Sequence, residues 1–128
     1  MQLTVTTIIF GLPTGQRLSS VRLALAAARL AVRELIAHKV RREVEECLSH
    51  QRRGLSGEYL APEELLGAAA SAAPGPVEDE VVRAQQAFAV RAYMIVVDNR
   101  RVWGLEDMLT LAPTTQVEFI KILPLVGG

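Results

Sequence analysis

The chain has 128 residues, half of them hydrophobic, which is enough for one domain with a buried core. Its 14 basic and 14 acidic residues balance, so net charge does not favour nucleic-acid binding, and no stretch reaches the about 18 uninterrupted apolar residues of a membrane span. One cysteine, Cys47, and two histidines, His38 and His50, exclude an internal disulfide and are too few for a metal cluster. The start also lacks a signal-like segment. We therefore expect a cytoplasmic protein with no metal site and with neither nucleic-acid nor membrane partners.

The first part of the chain predicts a hairpin followed by a long helix. Met1 to Phe10 alternates between two faces as a strand does, the loop Gly11 to Gly15 follows, and Gln16 to Leu23 forms a short return strand. From Ala24 to His50, apolar residues recur every three or four positions, which predicts an amphipathic helix with Cys47 as a buried structural thiol. This helix is about 40 Å long, so its second half is expected to pack on another helix or on a partner.

The middle of the chain is rich in glycine and proline. Residues 51–75 are expected to be a connection more mobile than the sheet, with a short helix at Pro62 to Leu66. A firmer helix is predicted from Val77 to Arg91, because Glu78, Asp79 and Glu80 complement the helix dipole in its first turn.

The last part of the chain predicts strands and turns. Tyr93 to Val97 is an apolar strand, Asp98 to Arg101 is a turn, and Val102-Trp103 completes a second hairpin or corner with Trp103 in the core. Leu105 to Leu111 is too mixed to assign, and residues 113–115 turn the chain into a final strand from Gln116 to Leu123. We expect a mixed sheet of four or five strands on the long helix, with the first and last strands as central neighbours.

The final residues, 124–128, form a tail whose composition suits presentation to another protein. Pro124 has no N–H for a sheet ladder, so strand pairing is expected to stop there. Six extended residues from Leu123 span at most about 20 Å, enough for a terminal carboxylate to enter an active-site slot. Gly127 and Gly128 lack a Cβ, so they fit a narrow slot and leave the carboxylate of Gly128 unhindered.

Two segments carry a family resemblance. Residues 96–102 with Leu105-Glu106-Asp107, and then residues 116–128, resemble the C-terminal third of the ubiquitin-like β-grasp family. The ending, residues 122–128, is similar to the tails of the small subunit of molybdopterin synthase and of the thiamine-pathway sulfur carrier, and residues 1–5 are similar to the start of ubiquitin. The resemblance covers about 1–25 and 93–128. The long helix and an insertion at about 51–92 depart from the minimal family pattern.

The resemblance implies an α+β, β-grasp fold over a single domain, 1–128, and a substrate protein rather than an enzyme. A partner activating enzyme would use ATP and magnesium to adenylate Gly128, while this chain binds no cofactor itself. The partner would bind the side chains of Leu125 and Val126, and Gly127, which has no side chain, would lie in the narrow part of its slot. Expected partners are that activating enzyme and target proteins, with a conjugating enzyme and a deconjugating protease as further candidates. No catalytic constellation is found in the sequence.

Three functions remain open from the sequence. The first is a protein modifier conjugated through Gly128 to targets by an isopeptide or ester bond. The second is a sulfur carrier with a thiocarboxylate on Gly128. The third is a non-catalytic interaction module with an accidental Gly-Gly. Arginines outnumber lysines twelve to two, which would limit self-conjugation through amide bonds, although a GC-rich coding bias explains the same ratio.

Overall fold

The computed structural model describes residues 1–12, 15–52 and 76–122, and within these residues it contains two helices and two sheets. The strands are β1 (Gln2–Leu12), β2 (Gly15–Ala24), β3 (Arg29–Ala31), β4 (Met94–Val97), β5 (Arg100–Val102), β6 (Met108–Thr110) and β7 (Val117–Ile122). The helices are α1 (Val32–Arg52) and α2 (Val77–Ala89). Of the mobile connection expected over 51–75, residues 51 and 52 belong to α1. The rest of it, including the short helix expected at Pro62 to Leu66, lies outside the described residues.

The main sheet has five strands in the order β2-β1-β7-β4-β5. β1 and β7 are parallel neighbours, with Val5 opposite Val117, and all other pairs in this sheet are antiparallel. A mixed sheet with the first and last strands adjacent is therefore confirmed. The α+β arrangement, a mixed sheet packed against a helix, is compatible with a β-grasp fold.

The return strand β2 is longer than the sequence predicted. It runs for ten residues and pairs along nearly all of β1, with Val5 opposite Val21. Ser19 and Ser20 do not interrupt the strand, because Ser20 lies opposite Thr6 and the two hydroxyl oxygens are 3.3 Å apart. Two polar residues thus continue the ladder where the alternation of apolar residues stops.

The start of α1 was predicted wrongly. The helix begins at Val32 rather than Ala24 and continues to Arg52, because residues 25–31 are held in extended and irregular structure by distant parts of the chain. The N–H of Leu25 donates to the carbonyl of Met1, and β3 pairs with β6 in the segment that the sequence left unassigned. These tertiary hydrogen bonds outweigh the helix propensity of an alanine-rich stretch.

The first turn of α1 is satisfied by a distant loop. The N–H groups of Val32 and Arg33 donate to the carbonyls of Asp107 and Leu105, each at 2.9 Å. Helix N–H groups in the first turn have no partner within the helix, so these bonds supply what a local cap otherwise would.

The core lies between the sheet and α1, with α2 packed on α1. Val32, Leu35 and Ile36 of α1 are fully buried together with Leu3, Val5, Ile95 and Phe119 of the sheet. Val44 and Cys47 are buried in the second half of α1. The expectation that this half packs on a second helix is confirmed, and Arg41 also forms a two-point ion pair with Glu78 of α2 at 3.0 and 3.1 Å.

The chain leaves α2 and β4 through residues with positive φ. α2 ends at Ala89 instead of Arg91, because Arg91 adopts φ 62° and the N–H of Ala92 donates to the carbonyl of Ala87. The predicted turn after β4 is confirmed at Asp98 and Asn99, whose φ values of 48° and 66° are typical of a tight hairpin turn. Arg100 and Arg101, which were also predicted to lie in the turn, belong to β5.

Candidate functional site

The candidate site is the end of β7, where the chain leaves the centre of the main sheet. β7 is bonded on both sides, in parallel to β1 and antiparallel to β4. Its last described pair is Ile122 opposite Phe10. The predicted site residues Leu125, Val126, Gly127 and Gly128, like Pro124, lie outside the described residues. The described structure therefore defines the base from which residues 123–128 continue.

The inner face of β7 holds this base to the core. Phe119 is buried, and its ring stacks on that of Tyr93 with a centroid distance of 5.7 Å. The ammonium of Lys39 also lies over this ring, 4.7 Å from its centroid. Lys121, two residues after Phe119 and therefore on the same face of the strand, donates to the carbonyl of Ala92 at 2.8 Å. The strand that precedes the tail is thus fixed by both apolar and polar contacts.

Tyr93 links this face to α2. Its hydroxyl donates to the carbonyl of Ala84 at 2.7 Å, and its ring lies 5.8 Å from that of Phe88. Burial, with a smaller contribution from the negative charge of Glu43, raises the pKa of Tyr93 above its ordinary value. Tyr93 therefore stays neutral and keeps its hydrogen bond at physiological pH.

The outer face of the sheet carries a row of apolar side chains beside the end of β7. Leu18, Ile8, Ile120 and Met94 occupy directly neighbouring positions on β2, β1, β7 and β4. We call these four residues the outer row. Leu18 is 57% exposed, and Phe10 and Ile122 extend the apolar surface on the tail side. An apolar surface that crosses four strands is typical of a protein-binding site.

Trp103 lies beside the outer row instead of in the core, so that prediction was wrong. It is 58% exposed and follows Val102, the partner of Ile95, so the register brings it next to Met94. The guanidinium groups of Arg101 and Arg91 lie 3.8 and 5.2 Å from its ring centroid. The two cations make an exposed tryptophan favourable by interacting with its π-system.

No protein-family model, curated protein or solved structure matches this chain.

A cleft also lies between the start of the hairpin and α1. Its volume is about 400 Å³, and its lining includes Arg22, His38, Arg41 and Arg42. Arg41 is paired with Glu78, which lowers the pKa of that carboxyl group, and Arg42 is paired with Glu45 and Glu46. Arginine charges that already have carboxylate partners do not form a ready anion site.

Other reactive groups are separated in the part of the chain that the structure describes. Cys47 is buried as predicted, and burial raises the pKa of its thiol, so it is a weak nucleophile. Among the described residues, no three His, Cys, Asp or Glu side chains come together in a way that could hold a metal ion. None of the described helices is long and apolar enough to cross a membrane.

The sequence carried a partial signal for the outer row. The alternation in the first strand placed Ile8 and Phe10 on the face opposite Leu3 and Val5, which indicated a sheet with apolar residues on both faces. Recognising that Ile120, Met94 and Leu18 continue this row required the strand order and register, which come only from the structure.

Proposed function

We propose that the chain is a β-grasp protein of the ubiquitin-like type and acts as a protein modifier through the carboxylate of Gly128. The supporting observation is the position of β7. This strand is central and parallel to β1, and the sequence continues directly from it into a proline-containing segment and Gly-Gly. Because β7 is hydrogen-bonded to a strand on each side, a partner can bind residues 123–128 without separating the strands of the sheet.

The proposed chemistry uses ATP and magnesium in the activating enzyme. An oxygen of the Gly128 carboxylate attacks the α-phosphorus of ATP, and pyrophosphate leaves with the electron pair of the broken P–O bond. A thiol, hydroxyl or amine then attacks the carbonyl carbon, AMP leaves, and the proton of the nucleophile passes to a base. Leu125 and Val126 anchor the tail, and Gly127 passes through the narrow part of the enzyme's slot.

The outer row supplies the docking surface in this proposal. It lies on the face of the sheet next to the end of β7, and Ile122 joins it to the tail. A partner that covers Leu18 and Ile120 therefore sits within reach of a segment spanning at most about 20 Å. Arg91 and Arg101 beside Trp103 favour carboxylates at the margin of the partner's surface.

The decisive experiment is mass spectrometry of the protein recovered from its native cells. A covalent bond between the carbonyl carbon of Gly128 and another protein supports the modifier. Replacement of one carboxyl oxygen by sulfur supports the sulfur carrier instead. The proposal requires that Gly128 carry a carboxylate of its own, either as synthesised or after proteolysis, and the same spectra measure this. An unmodified Gly128, together with full function after deletion of residues 127–128, would favour the interaction module.

The docking surface has a matched control. Leu18→Arg places a charge in the outer row, where the native side chain is 57% exposed, and Val82→Arg does the same on α2 at a side chain that is 49% exposed. Both substitutions leave the core intact, so both variants should fold with similar stability. Leu18→Arg is expected to lower conjugate formation in cells at least about tenfold, whereas Val82→Arg should not.

A further inference from the structure

Both lysines of the 128-residue sequence are buried in the core. Lys39 of α1 is 2% exposed and Lys121 of β7 is 9% exposed. Each has its own polar partner, so each charge is satisfied inside the fold. Lysine is rarely buried to this extent, because its charged group loses hydration.

Lys39 is enclosed on two sides. Its Nζ donates to the carboxylate of Glu43 one turn further along α1, and it lies over the face of the Phe119 ring. An acyl donor must bring its carbonyl carbon to about 3–3.5 Å from the attacking nitrogen. Such an approach would displace Glu43 or the ring, and the resulting amide would leave the Glu43 carboxylate without its cation.

Lys121 is enclosed near the end of β7, on the inner face of the sheet. Its Nζ donates to the carbonyl of Ala92, in the connection between α2 and β4, at 2.8 Å. Lys121 lies on the central strand, so another protein can reach the amine only by separating this connection from β7. Acylation would also replace the ammonium with an amide that carries a whole protein chain, and this chain would have to fit between β7 and Ala92.

The remaining cationic side chains are arginines and the two histidines. An arginine guanidinium stays protonated and has no electron pair available to form an amide. The α-amine of Met1 donates to the carbonyl of Leu25 at 3.1 Å, and the Leu25 N–H donates back to the Met1 carbonyl at 2.8 Å. Met1 is exposed, so its amine is not enclosed as the two lysine amines are.

We infer that the folded chain is an acyl donor whose own lysines do not accept a second copy, so that copies of it do not join to one another through lysine side chains. The inference rests on the proposed function and excludes one acceptor, a lysine of another copy of this chain. In the reaction, the acceptor nitrogen attacks the carbonyl carbon of Gly128, the C–O bond to AMP or the C–S bond to a carrier thiol breaks, and a base takes the proton.

The burial can be tested without any partner enzyme. The native chain is treated briefly with sulfo-N-hydroxysuccinimide acetate, and acetylation at each amine is measured by mass spectrometry. Arg100→Lys provides a matched reference, because Arg100 is exposed on an edge strand. Lys39 and Lys121 should react at least about 100-fold more slowly than the new lysine in that variant, because they require opening of the fold. In 8 M urea the difference should disappear. Equal rates in the native chain would overturn the inference.

The attachment itself is tested on conjugates from cells. Hydroxylamine removes thioesters and esters, and trypsin then leaves residues 122–128 on any amine acceptor, because it cleaves after Lys121. The remnant is expected on lysines of other proteins. Its presence on Lys39 or Lys121 would overturn the inference and leave the proposed function intact. Slow acetylation of both lysines with no Gly128 conjugate on any protein would instead refute the proposed function.

Discussion

The buried pair of Lys39 and Glu43 gives the sharpest test of how this core is held together. Lys39→Met keeps a side chain of similar length but removes the cation, and Glu43, whose side chain is 12% exposed, then has no partner for its charge. The substitution also removes the cation over Phe119. Loss of one partner of a buried ion pair typically costs about 3–5 kcal/mol, and the small exposure of Glu43 places the expectation near the lower end, at about 3 kcal/mol.

Urea unfolding followed by circular dichroism measures this loss. With a slope of about 2 kcal/mol per molar urea, typical of a small protein, the midpoint should fall by about 1.5 M. The double substitution Lys39→Met with Glu43→Leu removes both charges, and it should restore the free energy of unfolding to within about 1 kcal/mol of the native chain.

An exposed pair on the same helix provides the control. Arg42 contacts Glu45 and Glu46 at 3.2 Å, with all three side chains at least 41% exposed, so Arg42→Met should cost no more than about 1 kcal/mol. If Lys39→Met shifts the midpoint no further than Arg42→Met, the pair is not shielded from water and the reasoning fails.

Three further expectations concern single side chains. Because the pKa of Tyr93 is raised above the value of about 10 in the unfolded chain, its stabilisation is present below pH 10 and is lost as the pH rises further. Tyr93→Phe should lower the free energy of unfolding by about 1 kcal/mol at pH 7. Above pH 10, the free energy of unfolding of this variant should fall less steeply than that of the native chain, by about 1.4 kcal/mol per pH unit, and equal slopes would contradict this. Asp98→Ala should lower stability by about 1–2 kcal/mol in thermal unfolding, because Asp98 adopts a positive φ and its carboxylate accepts the Gln116 N–H at 2.9 Å, whereas a neutral effect would mean that the turn tolerates alanine. Since burial raises the pKa of Cys47, its reaction with a disulfide reagent at pH 8 should be at least about 100-fold slower in the folded than in the unfolded chain, and a fast native reaction would show that the thiol is accessible.

The sheet was largely predictable because its strands have strong local patterns. We predicted that the first and last strands lie side by side at the centre of the sheet, because they are apolar and β-branched and both of their faces must be covered. The start of α1 was not predictable in this way. Leu25 continues the helical spacing of the residues that follow, but the hydrogen bonds that hold it belong to Met1, and β3 is defined only by its pairing with β6.

Part of the candidate site was also visible in the sequence. Lys39 follows Leu35 by four residues and Ile36 by three, so it lies on the apolar stripe of the helix, and Lys121 continues the alternation of Val117 and Phe119. This spacing is a signal that both lysines face inward, although we did not predict their burial from the sequence. Their partners, the Glu43 carboxylate and the Ala92 carbonyl, and the position of Trp103 depend on packing between distant segments.

The pairing of β1 with β7 has a consequence for synthesis on the ribosome. Val5 of β1 cannot pair with Val117 of β7 until more than a hundred further residues have been synthesised. Translation adds only about 5–20 residues per second, so this side of β1 stays unpaired for several seconds. α1 has a similar dependence, because its first N–H groups use carbonyls at positions 105 and 107. A nascent chain released before β7 emerges lacks the middle of its sheet and also lacks Gly-Gly. Under the proposed function, a product that ends before β7 therefore lacks both the centre of its sheet and the Gly127-Gly128 segment that an activating enzyme would use.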